Sequence, residues 1–187
     1  MSKNTKEQQP DSFESVQESL NKAELFINDH KSVISYTVIG ILAVVAIFFA
    51  VKRFYLEPQN TKASAAMFAA EQYFQRDSFE VALNGDGNYA GFLDVIDDYG
   101  MTQTAKLANY YAGLCYMYTG DFESAIKHLK KFKSKDVTLS SVALGVLGDA
   151  YVELGEESKG ASYYEKAATN NENEFVSPLY LNKAEQV

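Results

Sequence analysis

The feature that most constrains this chain is a charge-free run over residues 32–51, SVISYTVIGILAVVAIFFAV. A helix of this length covers about 30 Å, which matches the hydrocarbon core of a bilayer. Lys31 precedes the run, and Lys52 and Arg53 follow it, as cations that reach into the headgroups do at the ends of a span. The run therefore predicts a transmembrane helix over residues 32–51, in contact with the lipid bilayer.

The residues around the run predict an anchor that is retained rather than a cleaved signal peptide. Residues 1–31 hold four lysines against six carboxylates, whereas a signal peptide begins with a short basic region and has a shorter apolar core. The small residues Ala63, Ser64 and Ala65 lie too far beyond the run to serve as a cleavage site. The Lys and Arg counts on the two sides are nearly equal, so the positive-inside rule leaves the orientation open.

The N-terminal segment predicts a short amphipathic helix. Asp11 followed by Glu14 is typical of a capping box at its start. Adsorption to the membrane surface is disfavoured by the acidic charge, and two heptads are too short to specify a seam for a partner helix. We therefore expect a plain helix that leads into the span. Its apolar face consists of Phe13, Val16, Leu20, Ala23 and Ile27.

Residues 56–187 contain an internal repeat. Small and aromatic residues recur 35 residues apart, close to the roughly 34 residues of a tetratricopeptide unit, and a less regular copy precedes them. We predict units over about 63–105, 106–140 and 141–175 and an incomplete unit over 176–187. The predicted fold is all-α, with one N-terminal transmembrane helix followed by a tetratricopeptide-like helical-hairpin solenoid. The repeat-packing residues are Ala70, Tyr73, Gly113, Tyr116, Gly120, Ala125, Gly148, Tyr151, Gly155 and Gly160.

These positions predict packing rather than catalysis. The small residues stand where two antiparallel helices approach closely, and the tyrosines fill the space one turn later. Gly120 and Gly155 are expected to end their helices in the left-handed conformation. Asp77 takes the corresponding position in the first unit, which also has extra residues around a turn cluster at 84–88. We expect a turn at this cluster and a helix over residues 89–99.

One stripe of apolar residues predicts a surface for partners. The first helices of stacked hairpins form an extended binding surface, and methionine and aromatic side chains suit a groove that accepts varied apolar segments. The alternative is that the stripe packs against the neighbouring repeats, and the sequence fits both. The candidate groove consists of Met67, Phe74, Leu107, Tyr110, Leu114 and Met117.

The sequence contains no set of residues for catalysis, a cofactor or a metal. The two histidines, His30 and His128, lie on opposite sides of the predicted span, and the one cysteine, Cys115, reads as a small core residue. A calcium loop over residues 84–95 is excluded, because its glycine and its bidentate glutamate are both missing. We therefore expect neither an enzyme nor a small-molecule substrate.

The charge distribution excludes nucleic acid as a partner. The net charge is -8, and a phosphate backbone requires a dense basic face. Asp94, Asp97 and Asp98 are expected to form a solvated helix face. The lysines within residues 127–135 crowd the end of a helix, where cations offset the helix dipole. A docking patch for an acidic partner is the alternative for these lysines.

The order of a short tail, one span and degenerate repeats resembles the bacterial single-span tetratricopeptide proteins related to YfgM, the ancillary subunit of the Sec translocon. The motifs that carry the resemblance are NGDGNYAGFLDVIDDYG, KLANYYAGLCYMYTGDFESAIKHLKKFKSKD and LGDAYVELGEESKGASYYEKAA. The resemblance implies a cytoplasmic N-terminus, an inner-membrane anchor and a periplasmic repeat domain. It implies translocon subunits, exported chains or periplasmic chaperones as partners, and no catalytic residues.

The resemblance fails at the C-terminal end, where the family pattern adds a further hairpin after residues 177–180. We expect a shortened member or a fragment whose last helix is weakly held, because the last apolar face of a solenoid requires a polar cap. Two other functions stay open from the sequence. One is a scaffold of another envelope or cell-division complex, and the other is a regulator that acts through the cytoplasmic tail.

Overall fold

The computed structural model describes residues 12–170 and 176–187, and every regular element within these ranges is helical. The chain divides into two compact units, with the boundary between Val51 and Lys52. In chain order the elements are α1 (Ser12–Asp29), α2 (Lys31–Val51), a π-helical turn (Lys52–Leu56), α3 (Glu57–Phe74), α4 (Phe79–Asn84), α5 (Phe92–Tyr99), α6 (Gln103–Thr119), α7 (Phe122–Leu129), α8 (Val137–Glu153), α9 (Glu157–Asn170) and α10 (Val176–Glu185).

The first unit consists of α1 and α2. Asp11, the predicted cap of α1, lies outside the described residues, and Val16 and Leu20 of the predicted apolar face are exposed. α2 contains the whole charge-free run, and none of its residues is buried. Among the described residues, the helical stretch that begins at Lys31 is the one whose length and composition suffice to cross a bilayer.

The second unit is built from helical hairpins. α3 pairs with α4, α6 with α7 and α8 with α9, while α5 packs against the first pair and against α6. The first helices of the later hairpins begin a few residues ahead of the predicted unit boundaries. The reason is local: Thr102 and Asp136 cap α6 and α8 by accepting the backbone N–H groups of Ala105 and Leu139.

The three hairpin turns share one backbone geometry. In each, the carbonyl of the packing tyrosine accepts the N–H of the residue five positions later, at 2.8 to 3.0 Å. This bond belongs to the Schellman motif, which requires a left-handed residue in the turn. That residue is Gly120 at φ 82°, Gly155 at φ 75° and Asp77 at φ 57°. The irregular first hairpin therefore turns in the same way as the two regular ones.

The expected start of one helix needs correction. The helix expected over residues 89–99 begins only at Phe92, because Asp86 Oδ1 accepts the N–H groups of Asn88 and Tyr89 and holds these residues in a turn. Gly91 follows with its backbone packed against the end of α4. An added Cβ there would lie 2.4 Å from a carbonyl oxygen of that helix.

The last helix is held more firmly than the sequence suggests. Tyr180 of α10 is buried, and its ring fills the space over Gly145, where a Cβ would lie 2.1 Å from the ring. Lys183 also pairs with Asp149 of α8 at 2.7 Å. The expectation of a weakly held final helix is therefore wrong for Val176–Glu185, because a glycine on α8 makes room for an aromatic side chain.

Candidate partner surface

The small repeat-packing residues lie where helices approach each other. A Cβ at Gly113 would lie 2.6 Å from Cγ of Leu129, and one at Gly148 would lie 2.5 Å from the ring of Tyr164. Real Cβ atoms do not approach other heavy atoms this closely. Gly160 is likewise pressed against α8. Ala70 and Ala125, the alanines of the set, are fully buried.

Two of the packing tyrosines have a ring partner on the following helix, and the third has a carboxyl partner in the turn after α4. The ring of Tyr116 stacks on His128 at 5.4 Å between centroids. The ring of Tyr151 stacks on Tyr163 at 5.2 Å. Tyr73 instead donates its hydroxyl to Asp86 at 2.7 Å, which raises the pKa of the tyrosine and lowers that of the carboxyl.

The candidate groove residues do not form one open surface. Met67 is only 2% exposed and Tyr110 only 9% exposed, so neither side chain is open to a partner. Burial also raises the pKa of Tyr110 to about 12. Leu114 and Met117 are half-buried and pack against the core that α6 shares with α8. The stripe faces the next hairpin, because stacking the hairpins buries this side of α6.

Phe74, the remaining aromatic member of the candidate groove, is the centre of a cluster of rings. We call this cluster the aromatic patch. The centroid of the Phe74 ring lies 5.2 to 6.4 Å from those of its four neighbours in the patch. Two further pairs within the patch are stacked. The aromatic patch consists of Phe74, Phe79, Phe92, Tyr111 and Tyr118.

Tyr118 is the exposed member of the aromatic patch, and it is not among the groove residues predicted from the sequence. It is 64% exposed and stacks on Phe79 at 4.4 Å between centroids. A sequence signal existed, because Tyr111, Leu114 and Tyr118 are spaced three and four residues apart. Tyr111 and Tyr118 each follow a residue of the predicted stripe by one position, and Leu114 belongs to both faces of α6. The patch therefore combines one fully buried ring, that of Phe92, with three half-buried rings and one accessible ring.

A second opening lies at the connection between α7 and α8. This cleft has a volume of about 360 Å³, and Leu107 of the candidate groove lies in its wall with Phe132. Lys133 and Lys135 line the same cleft. The lysines of residues 127–135 therefore do not share one surface. Lys130 donates to the hydroxyl of Tyr151 at 2.6 Å and belongs to the packing of the third hairpin.

The polar residues of this unit have structural roles. No group of three or more His, Cys, Asp or Glu residues is placed to hold a metal within the described part of the chain. Cys115 is fully buried, and burial raises its pKa to about 12, which leaves the thiol protonated. Asp94 accepts the N–H of Gly91 at 2.9 Å, so it caps α5.

Comparison with known families identifies one of the hairpins. Residues 142–174 match the tetratricopeptide repeat. The chain carries a tetratricopeptide repeat. The matched residues include most of α8 and all of α9. No curated protein matches the chain. Tetratricopeptide repeats are typically non-catalytic modules for protein–protein interaction, so a protein-binding scaffold is the general class that the match indicates.

Proposed function

We propose that this chain is a membrane-anchored scaffold that binds a protein partner through the aromatic patch. The observation that carries the proposal is the exposed ring of Tyr118, which lies on a base of packed rings. An aromatic side chain held in place loses little conformational entropy on binding and offers a large contact area. Such residues typically supply most of the energy of a protein interface.

The environment of the aromatic patch favours an apolar segment of the partner. Glu71 lies near Tyr111, and burial raises the pKa of its carboxyl. Phe68, six residues before Phe74 on α3, is exposed as well. An apolar or aromatic segment that covers the rings of the aromatic patch would add buried apolar area.

The anchor in this proposal is α2. It is uncharged between Ser32 and Val51, and no residue in it is buried. A helix of this composition left in water would expose an apolar surface along its whole length, so a bilayer is its stable environment. We assign no cofactor, no nucleic acid and no catalytic residue to the protein.

The resemblance described above supports a more specific form of the proposal. In this form the N-terminus is cytoplasmic, the span lies in a bacterial inner membrane and the repeat unit is periplasmic. The scaffold then works beside the Sec translocon, and its partners are translocon subunits, exported chains or periplasmic chaperones. A scaffold of another envelope or cell-division complex has the same structural requirements and differs only in the identity of the partner.

One observation favours a second candidate function. α1 leaves Val16 and Leu20 of its apolar face exposed, and an exposed apolar stripe on a helix is a binding surface for another helix. In this alternative the tail binds a regulatory protein, and the repeats only hold the chain in its complex. Deleting residues 1–29 from the membrane-inserted chain would abolish partner capture under this alternative. Capture through the aromatic patch would be retained.

Site-specific photo-crosslinking tests the proposal. A benzophenone amino acid at Tyr118 in the full chain should crosslink to a partner in native membranes. The same amino acid at Glu165, an exposed position on α9, serves as the matched control and should give little product. Products that contain translocon subunits or exported chains support the specific form, and products that contain other envelope proteins support the alternative scaffold.

A pair of tyrosine variants separates binding from folding. Tyr118→Ala should weaken partner capture by about 5–30-fold, the loss of about 1–2 kcal/mol expected for an interface anchor. Its thermal unfolding should change little, because the ring is exposed. Tyr110→Ala should instead lower stability by about 3 kcal/mol, as for truncation of a buried large side chain. Undiminished capture by Tyr118→Ala would exclude the aromatic patch as the partner site.

A further inference from the structure

A second apolar surface lies at the beginning of the second unit. Phe54 of the π-helical turn is 81% exposed, and its neighbour Tyr55 is exposed as well. Met101, in the loop between α5 and α6, is 72% exposed. We call these three side chains the foot. They contribute little to the protein core, so covering them with an apolar environment would stabilise the chain.

The loop that carries Met101 is fixed beside the π-helical turn. Met101 and Leu56 together line two adjacent clefts, with volumes of about 300 Å³ and 410 Å³. Asn60 Oδ1 accepts the backbone N–H of Thr104 at 3.0 Å and its hydroxyl at 3.1 Å. The beginning of α6 is thereby bonded to α3 one turn after Leu56, and the loop cannot move away from the turn without breaking these bonds.

The length of the chain limits the distance between Tyr55 and the end of the predicted span. Tyr55 follows Val51 by four residues, which is at most about 6 Å of α-helix. The interfacial layer outside the hydrocarbon core is roughly 5–7 Å thick on each side of a bilayer. Chain connectivity therefore keeps Tyr55 close to this layer, and the loop bonded beside Leu56 lies next to Tyr55 within the second unit.

We propose that Met101 inserts into the interfacial layer of the bilayer beside Phe54 and Tyr55. The second unit then contacts the lipid through two separate parts of its chain. The lipid interface suits these residues, because aromatic side chains prefer the headgroup level and methionine adapts to an irregular apolar environment. The proposal rests on the membrane anchor of the proposed function.

The charges around the foot indicate that anionic headgroups are not required. Lys52 and Arg53 are basic, but Arg53 is ion-paired with Glu57. The carboxylates of Asp97 and Asp98 line the cleft beside Tyr55, and they offset the attraction of the two cations to an acidic surface. The contact is therefore apolar, and it should form equally well on zwitterionic and on partly anionic lipid.

Fluorescence quenching by nitroxide lipids in nanodiscs tests the foot with the full chain. Single cysteines replace Met101, Tyr118 and Val44 in a Cys115→Ala background, and each carries an environment-sensitive fluorophore. Tyr118 is the matched control, because it is similarly exposed but lies about 25 Å away at the other end of α6. The label at Val44 reports whether the span is inserted.

Three outcomes are distinguished by which label is quenched. With nitroxides near the headgroups of phosphatidylcholine, quenching at Met101 should be several-fold stronger than at Tyr118, and adding phosphatidylglycerol should not change the ratio. Quenching at Val44 by deep nitroxides, with equal and weak quenching at Met101 and Tyr118, overturns the foot and leaves the anchor intact. No quenching at Val44 overturns the anchor, and the foot with it.

Discussion

The third hairpin, α8–α9, and the first, α3–α4, turn alike but pack their helices differently. In the third, Gly148 lies against the ring of Tyr164, and Gly155 ends α8 in the left-handed conformation. In the first, Ala70 takes the position of the small residue and Asp77 that of the turn glycine. The match to the tetratricopeptide repeat lies in the third hairpin, which holds the glycines of the repeat.

The difference between the two hairpins explains where the aromatic patch lies. α9 runs from Glu157 to Asn170, whereas α4 runs only from Phe79 to Asn84. α5 packs against α3, α4 and α6 beside this short helix, and Phe92 at its start joins the rings around Phe74. The irregular hairpin supplies Phe74 and Phe79 to the surface that we propose for binding, and α6 supplies its exposed ring, Tyr118. Departures from a repeat pattern are expected at functional sites.

The largest effect is expected for Gly148→Leu in the third hairpin. The new side chain has no room beside the ring of Tyr164, so overpacking should lower the free energy of unfolding by about 2–4 kcal/mol. Urea unfolding of residues 52–187, which form a compact unit, measures the change. Adding Tyr164→Ala should recover part of the loss, because the leucine can then occupy the space of the ring.

Gly113→Leu in the second hairpin is the matched comparison. Its neighbour is the flexible side chain of Leu129 rather than a ring, so we expect a loss in the lower part of the same range. An unfolding midpoint that neither substitution changes would mean that the helices do not approach at these glycines.

The hairpin packing could be predicted from the sequence because its signal is periodic. Glycines recur with the tyrosines at a fixed spacing, and sterics assign each a place. The last helix could not be predicted in this way. Tyr180 packs over Gly145, and this pair has no counterpart at the repeat spacing in the second hairpin. Only the folded chain brings these two residues together.

The candidate surface was predictable only in part. The sequence predicts Phe74 as part of the partner surface. It also predicts the face of α6 that contains Tyr110, which the structure buries. Both faces have helical spacing and apolar side chains, so periodicity cannot distinguish them. The choice depends on how the third hairpin is placed against α6, and that is a tertiary property. Tyr118, in the last turn of α6, stays 64% exposed although it stacks on Phe79 at the beginning of α4.

An intermediate effect is expected at the turns, where the two hairpins differ by one residue. Gly155→Ala should cost about 1 kcal/mol, because a side chain in the left-handed conformation is strained although the surrounding space is open. Asp77→Gly should have the opposite sign and stabilise the first hairpin by a few tenths of a kcal/mol. The free energy of unfolding in urea measures both changes.

A third variant controls for the turn comparison. Gly120 has a positive φ and open space like Gly155, so Gly120→Ala should show the same cost. If Asp77→Gly destabilises the protein instead, the carboxyl of Asp77 contributes to the first turn in a way that outweighs its backbone strain. The first hairpin would then not be a strained version of the third.

The smallest effect is expected from the ring partner of the packing tyrosine, which is His128 in the second hairpin and Tyr163 in the third. Burial is the largest cause that lowers the pKa of His128, and Lys131 and Lys127 lower it further, whereas Asp97 raises it. His128 Nδ1 lies 3.1 Å from Asn109 Oδ1, so the neutral ring donates there.

The sign of the pH dependence follows from this lowered pKa. The unfolded chain binds the proton at a pKa of about 6.5, and the folded chain binds it only at a lower pH. The stabilisation by neutral His128 is therefore complete above about pH 6.5 and is lost as the pH falls through the pKa of the folded state.

His128→Gln keeps a donor for Asn109 but cannot be protonated, so its unfolding midpoint in urea should decrease less between pH 7.5 and pH 5.5. Tyr163→Phe changes the ring partner in the third hairpin and leaves His128 in place, so it should follow the pH dependence of the unmodified protein. An identical pH dependence in His128→Gln and the unmodified protein would show that His128 does not make the second hairpin the pH-sensitive one.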